Sequence, residues 1–70
     1  MNIMVFHESN YGPNTTPMLV VSNTTIIPNS DDGIMINDNA YIVTHKLYNY
    51  SEDKCILIVR NPKVQYDIQT

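Results

Sequence analysis

Apolar and polar residues alternate along much of this chain, and short polar segments interrupt the alternation. The first alternating stretch covers residues 1–8, and the longest covers residues 40–50. A two-residue period is typical of β-strands, and no window of about ten residues shows the apolar spacing of a helix. Prolines, glycines, asparagines and aspartates separate the apolar stretches, which indicates turns between strands. The pattern predicts an all-β fold of five or six strands.

Three further apolar stretches are predicted to be strands, at residues 18–21, 34–36 and 55–60. Residues 23–27 either continue the second strand or form a separate one. Residues 9–17 are predicted to form a loop, and residues 64–70 either an edge strand or a loose tail. A chain of 70 residues has room for one domain, so residues 1–70 are predicted to be a single β domain. A closed or nearly closed barrel, or a strongly bent antiparallel meander, would hide strand edges that otherwise pair with other chains.

Charge is scarce and unevenly placed along the chain. Charged residues make up 16% of the sequence, the formal net charge is -3, and all four basic residues come after position 45. Nucleic-acid binding usually needs a clustered basic surface, so we expect no nucleic-acid partner. The single cysteine, Cys55, excludes an internal disulfide and suits a reducing compartment, so the expected location is cytoplasmic. The sequence has neither the basic start of a signal peptide nor an apolar stretch long enough to span a membrane, so we expect no membrane partner.

Residue types that carry chemistry are present, but their spacing does not define a site. His7 and His45 lack a second ligand at zinc spacing, and the aspartates between positions 31 and 38 lack the closing glutamate of a calcium loop. No Ser-His-Asp set can be assigned, and two glycines are too few for a phosphate-binding loop. We therefore predict that the protein is not an enzyme and uses no metal or cofactor.

The strand predicted at residues 40–50 has apolar groups on both faces. Strict alternation places the odd-numbered residues, including Val43 and Leu47, on one face and the even-numbered residues on the other. A sheet with one face in water is normally polar on that side, so either the chain covers both faces itself or one face contacts a second copy or a partner. Low charge together with tyrosine and arginine is typical of protein interfaces. The predicted protein-binding residues are Ile42, Lys46, Tyr48, Tyr50, Glu52, Asp53, Ile56, Ile58 and Arg60.

Residues 28–60 carry a recognisable order of turns and strands. After a proline come the acidic turn Asp31-Asp32-Gly33, the alternating Ile34-Met35-Ile36, the polar hairpin Asn37-Asp38-Asn39 and then Tyr41-Ile42-Val43. This order resembles small SH3-like β-barrel accessory proteins of tailed bacteriophages. The resemblance implies an SH3-like barrel that binds a host protein in the host cytoplasm, as an inhibitor or modulator in anti-defence or host takeover. Its mechanism would be steric occlusion of that host protein.

Two other functions stay open at this point. A small barrel would also suit a structural or assembly component of a virion, packed in a ring. An OB- or SH3-like barrel would instead bind nucleic acid by stacking bases on its aromatic side chains. A homodimer formed through a strand face or a strand edge is a further prediction.

Overall fold

The computed structural model describes residues 1–62, which contain five β-strands and no helix. The strands are β1 (Asn2–His7), β2 (Leu19–Val21), β3 (Gly33–Ile36), β4 (Asn39–Asn49) and β5 (Lys54–Arg60). The predicted all-β class is therefore confirmed. Residues 23–27 belong to no strand, and the edge strand or tail predicted at residues 64–70 lies outside the described residues.

The five strands form one sheet in the order β2-β1-β5-β4-β3. β1 and β5 run parallel at its centre, and the other three pairs are antiparallel. The sheet curls into a half-barrel, consistent with the predicted small barrel or bent meander, and the parallel pair makes it a mixed sheet. Because β1 and β5 lie side by side, residues from the two ends of the described chain share the same cross-strand rows.

The concave face of the half-barrel holds the hydrophobic core. Seven buried side chains form one cluster, namely Ile3, Val5, Ile36, Val43, Cys55, Leu57 and Val59. Every second residue of a strand points to the same face, which is why β1 and β5 contribute alternate residues. Cross-strand partners such as Ile3 with Cys55, and Val5 with Leu57, place these side chains in continuous rows. The core is therefore built from pairs that neither strand could bury alone.

A β-bulge in β4 changes which of its residues face the core. Val43 lies opposite Val59. His45 lies opposite Ile58, the preceding residue of β5, so Thr44 is the extra residue of the bulge. The Thr44 hydroxyl donates a hydrogen bond of 3.1 Å to the Ile58 carbonyl. A one-residue shift inverts the alternation, so the face assignment expected from strict alternation is wrong for β4 beyond Thr44.

The turn between β3 and β4 matches its sequence signal. Asn37 and Asp38 have φ angles of 49° and 67°, in the left-handed region that two-residue hairpin turns require. Asparagine and aspartate tolerate this region better than other residues with a Cβ atom. The predicted polar hairpin is therefore confirmed.

The segment between β2 and β3 lies over the concave face. Near its start, the Thr24 amide donates to the Met1 carbonyl at 3.0 Å. At its end, the Asp31 amide donates to the Val43 carbonyl at 2.7 Å. Between these two attachments Ile27 packs against the core cluster. The segment therefore covers apolar surface that the single sheet would otherwise expose.

Candidate protein-binding surfaces

Four apolar side chains lie in a row across the convex face of the sheet. Met4 of β1 is the cross-strand partner of both Val20 in β2 and Ile56 in β5, and Ile56 is also the partner of Leu47 in β4. We call Val20, Met4, Ile56 and Leu47 the convex row. Val20 is 54% exposed and Leu47 is 49% exposed, while the two central residues are half-buried. The row therefore crosses four neighbouring strands as an apolar strip that is exposed at both ends and half-buried at its centre.

The next row on the same face is covered at one end by the loop after β1. Phe6 and Ile58 are cross-strand partners in this row, and both are buried. The Tyr11 ring packs edge-to-face on Phe6 with ring centroids 5.2 Å apart. The loop thus covers this part of the convex face and stops short of the convex row.

Two tyrosines form an exposed stack at the end of β4. The rings of Tyr48 and Tyr50 lie 5.8 Å apart and are nearly parallel, with an angle of 10° between them. Lys46 Nζ lies 5.4 Å from the centre of the Tyr48 ring and donates a hydrogen bond of 2.8 Å to Asn29 Oδ1. Tyr50 is 83% exposed. We call Tyr48 and Tyr50 the tyrosine pair, and it presents a flat aromatic surface beside one positive charge.

The two carboxylates among the predicted protein-binding residues, Glu52 and Asp53, lie in the turn between β4 and β5. Glu52 pairs with Lys54 at 2.7 Å, and its amide donates to Asn49 Oδ1 at 3.2 Å. Asp53 has a φ of 52°, and its carbonyl accepts a bond of 3.1 Å from the Asn2 amide. Both residues therefore take part in forming the turn, while their side chains are exposed to solvent.

The predicted binding residues do not share one surface. Four of them lie on the convex face, namely Ile42, Ile56, Ile58 and Arg60. Lys46 and Tyr48 lie on the concave side, because they are the partners of the core residues Leu57 and Cys55. Tyr50 continues the tyrosine stack, and Glu52 and Asp53 lie in the turn. The bulge at Thr44 causes this division.

Sequence reasoning missed three residues of the convex row, namely Val20, Met4 and Leu47. Strict alternation assigns Leu47 to the same face as Val43 because it ignores the bulge, and threonine at position 44 is no signal for one. Val20 and Met4 join the row only through the pairing of β1 with both β2 and β5. The available signal was that residues 19–21 are all apolar, which predicts a strand but not its neighbours.

An apolar cleft of about 180 Å³ opens on the concave side between the edge strands β2 and β3. Its walls include Leu19 and Val21 of β2, Ile34 of β3, and Ile26 of the covering segment. Small-molecule sites usually measure about 300–1,000 Å³ and carry several polar groups. The cleft is therefore small and apolar for such a site.

One histidine joins two parts of the chain. His7 Nδ1 lies 2.7 Å from Ser9 Oγ and accepts a bond of 3.2 Å from the Ser9 amide, and its Nε2 lies 3.1 Å from Asn61 Oδ1. Assigning the proton to Nε2 satisfies all three contacts, because an amide oxygen only accepts. His7 Nδ1 accepts a hydrogen bond from the Ser9 backbone amide, so the ring is part of the turn after β1. Its Nε2 contact links that turn to Asn61, which follows β5.

The other reactive groups of residues 1–62 are dispersed or buried. No three histidine, cysteine, aspartate or glutamate side chains in this range lie close enough to hold a metal ion. Cys55 is fully buried, and burial raises the pKa of its thiol, while the charge of Lys46 lowers it to a smaller extent. A thiol with a raised pKa is a weak nucleophile at neutral pH.

The chain matches no family model, no curated protein and no solved structure. The resemblance to phage SH3-like proteins therefore stays a hypothesis that rests on residues 28–60. In the part of the chain that the structure describes, no helix is long and apolar enough to cross a membrane.

Proposed function

We propose that this protein is a non-enzymatic protein-binding module and that the convex row is the centre of its contact surface. The observation that carries the proposal is the alignment of Val20, Met4, Ile56 and Leu47 across four strands, with both ends of the row about half exposed. Exposed apolar strips on small proteins commonly mark interaction sites. Antiparallel sheets normally carry polar side chains on the face that is open to water. Contact with a partner protein would remove the apolar side chains of this row from water.

The composition of the surroundings supports a protein partner. Ile42 and Arg60 are cross-strand partners on the same face, two rows further along β4 and β5, beyond the row that contains Phe6 and Ile58. They add to this face an apolar side chain and a group that can donate several hydrogen bonds. An apolar centre with arginine at its border is a common arrangement in protein interfaces. Binding of this kind would block the partner's own contact surface, so the mechanism is steric occlusion.

The same proposal includes the finer role that the resemblance of residues 28–60 implies. In that role the chain is phage-encoded and inhibits or modulates a host protein in the host cytoplasm. What supports it is the order of turns and strands described above, together with an apolar surface that suits a protein target.

Leu47 and Tyr48 give a matched pair of variants for testing the contact face. They are neighbours in β4 with similar exposures of 49% and 41%, but Leu47 points to the convex face and Tyr48 to the concave face. We expect Leu47→Asp to abolish capture of a host protein by the tagged chain, because burying an unpaired carboxylate is costly. We expect Tyr48→Asp to retain capture. The measurement is a pull-down from host lysate with both variants, after circular dichroism has shown that each is folded.

The opposite pattern would place the contact surface at the tyrosine pair. Loss of capture with Tyr48→Asp and its retention with Leu47→Asp would contradict the proposal. If both variants captured the host protein as well as the wild type does, the proposal would also be contradicted, because neither face would then be required.

A specific observation favours one second candidate, a single-stranded nucleic-acid binder. The tyrosine pair offers an open ring face, and Lys46 lies beside it. Stacking of bases on aromatic rings contributes about 1–3 kcal/mol per base and tolerates any sequence. Salt-dependent binding of a mixed oligonucleotide pool that Tyr50→Ala abolishes would support this candidate. No binding at low salt would exclude it.

A further inference from the structure

The outer edge of β2 has the properties of a surface that pairs with another strand. β2 is the last strand of the sheet on its side, so one row of its backbone groups has no strand partner among the described residues. All three of its side chains, Leu19, Val20 and Val21, are apolar and exposed. No charged residue occurs between Glu8 and Asp31, so neither β2 nor its flanks carry a charge. Natural proteins protect such an edge by keeping the strand very short or with a lysine, a proline or a bulge; β2 is short, and Pro17 lies two residues before it, but it has no lysine.

The opposite edge of the sheet is protected. β3 begins directly after Asp31 and Asp32, and it is followed by Asp38 in the hairpin turn. All three carboxylates are exposed. Two copies that paired through β3 would bring these like charges together, which costs free energy. The charge pattern therefore favours β2 over β3 as a self-pairing edge.

We propose that β2 pairs antiparallel with β2 of a second copy of this chain, across a two-fold axis at Val20. In this register Val20 lies opposite Val20 of the second copy, and Leu19 lies opposite its Val21. Antiparallel pairing around a two-fold axis is self-complementary, since every contact occurs twice. Cross-strand partners share a face, so the two Val20 side chains meet on the convex side.

The faces of the two copies match in this register. Val20 lies on the convex face with Met4, whereas Leu19 and Val21 lie on the concave face opposite Val5 and Ile3. Joining two copies at Val20 therefore makes one continuous convex row twice as long, ending in Leu47 at both ends. Leu19 and Val21 of the two copies meet on the concave side, at the mouth of the apolar cleft.

The pairing is short, so the association is weak and reversible. β2 has three residues, whereas stable dimers bury about 800 Å² on each partner. We therefore expect the dimer to form at high micromolar concentration and to dissociate on dilution. The inference is independent of the proposed function, because a host protein can be captured by either a monomer or a dimer.

Sedimentation equilibrium of the wild type, Val20→Lys and Met35→Lys tests the edge. Met35 is the matched control, because it lies on the other edge strand and is 57% exposed, compared with 54% for Val20. We expect the wild type and Met35→Lys to rise from the chain mass of 8.0 kDa towards twice that value as concentration increases. We expect Val20→Lys to keep the mass of one chain. An added lysine reduces the net charge of -3, so loss of the dimer would not reflect general repulsion.

Disulfide formation between two copies tests the register. Val20→Cys places a thiol opposite its own copy, and cross-strand Cα atoms lie about 4.5–5.5 Å apart, within disulfide range. Leu19→Cys lies opposite Val21 of the second copy, so it should form at least tenfold less dimer under the same oxidant. The wild type is the control for any disulfide that forms through the buried Cys55, which both variants also contain.

Three outcomes would overturn the inference. A wild type that stays monomeric at every concentration excludes self-pairing. A dimer that Met35→Lys abolishes and Val20→Lys preserves assigns the contact to β3. Equal cross-linking of Leu19→Cys and Val20→Cys excludes the two-fold axis at Val20.

Discussion

The two faces of this single sheet contain the same kinds of side chain, yet only one of them is a core. Leu57 on the concave face is 1% exposed, whereas Leu47 on the convex face is 49% exposed. The concave face is covered by the segment before β3, through Ile27, and by β3 itself. Among residues 1–62, the contact of Tyr11 with Phe6 covers one part of the convex face. Apolar residues thus give both faces the capacity for burial, and the path of the connecting segments decides which face is buried within the chain.

The largest expected effect compares two neighbouring residues of β5 on opposite faces. Leu57→Ala removes a fully buried side chain from the core and should lower the free energy of unfolding by about 2–5 kcal/mol. Ile56→Ala removes a half-buried side chain from the convex row and should cost less than half as much. Urea denaturation followed by circular dichroism measures both.

Equal losses in these two variants would contradict the comparison. They would show that the convex row is as well packed as the core, for example inside a dimer. Repeating the Ile56→Ala measurement at a lower protein concentration separates the two cases, because only a dimer makes the loss depend on concentration.

An intermediate effect on the free energy of unfolding is expected at the bulge, which determines the face of the sheet on which each later residue of β4 lies. Thr44→Ala removes the hydrogen bond from the hydroxyl to the Ile58 carbonyl and should lower the free energy of unfolding by about 0.5–1.5 kcal/mol. Thr25→Ala is the control, since Thr25 is exposed outside any strand and should change stability by less than about 0.5 kcal/mol. Urea denaturation again gives the difference. If both variants match the wild type, the hydroxyl does not stabilise the bulge.

Local patterns in the sequence predicted the local features of the fold. The strands are rich in alternating apolar residues, and the Asn37-Asp38 turn has the residues that left-handed φ angles favour. β5 contains no bulge, so its residues alternate regularly between the two faces: Leu57 faces the core and Ile56 faces outward. These features depend on residues close together in the chain.

The features that define the candidate site depend on distant residues and could not be predicted in this way. The extra residue in β4 is Thr44, which is an ordinary strand residue and gives no sign of a bulge. The convex row also needs β1 to pair with β5 in parallel, a contact between the two ends of the described chain. Alternation assigns a residue to a face of its own strand, and it does not identify the strands beside it.

The smallest expected effect concerns two thiols, one on each face. Burial raises the pKa of the Cys55 thiol, with a smaller opposing effect from Lys46, so the folded chain holds this proton more tightly than the unfolded chain does. The resulting stabilisation is present below the unfolded pKa of about 8.5 and is lost as pH rises above it, because the unfolded chain then releases its proton first. A chain with Cys55→Ala and Leu47→Cys moves the thiol to the exposed end of the convex row, where it should keep an ordinary pKa. We therefore expect urea denaturation between pH 8 and pH 10 to show that the free energy of unfolding falls more steeply with pH in the wild type than in the double variant.

Reaction with a thiol reagent compares the same two proteins. We expect the reagent to modify the double variant at once and the folded wild type only slowly. Equal rates of modification would mean that the concave face opens as readily as the convex face, which would remove the distinction between them.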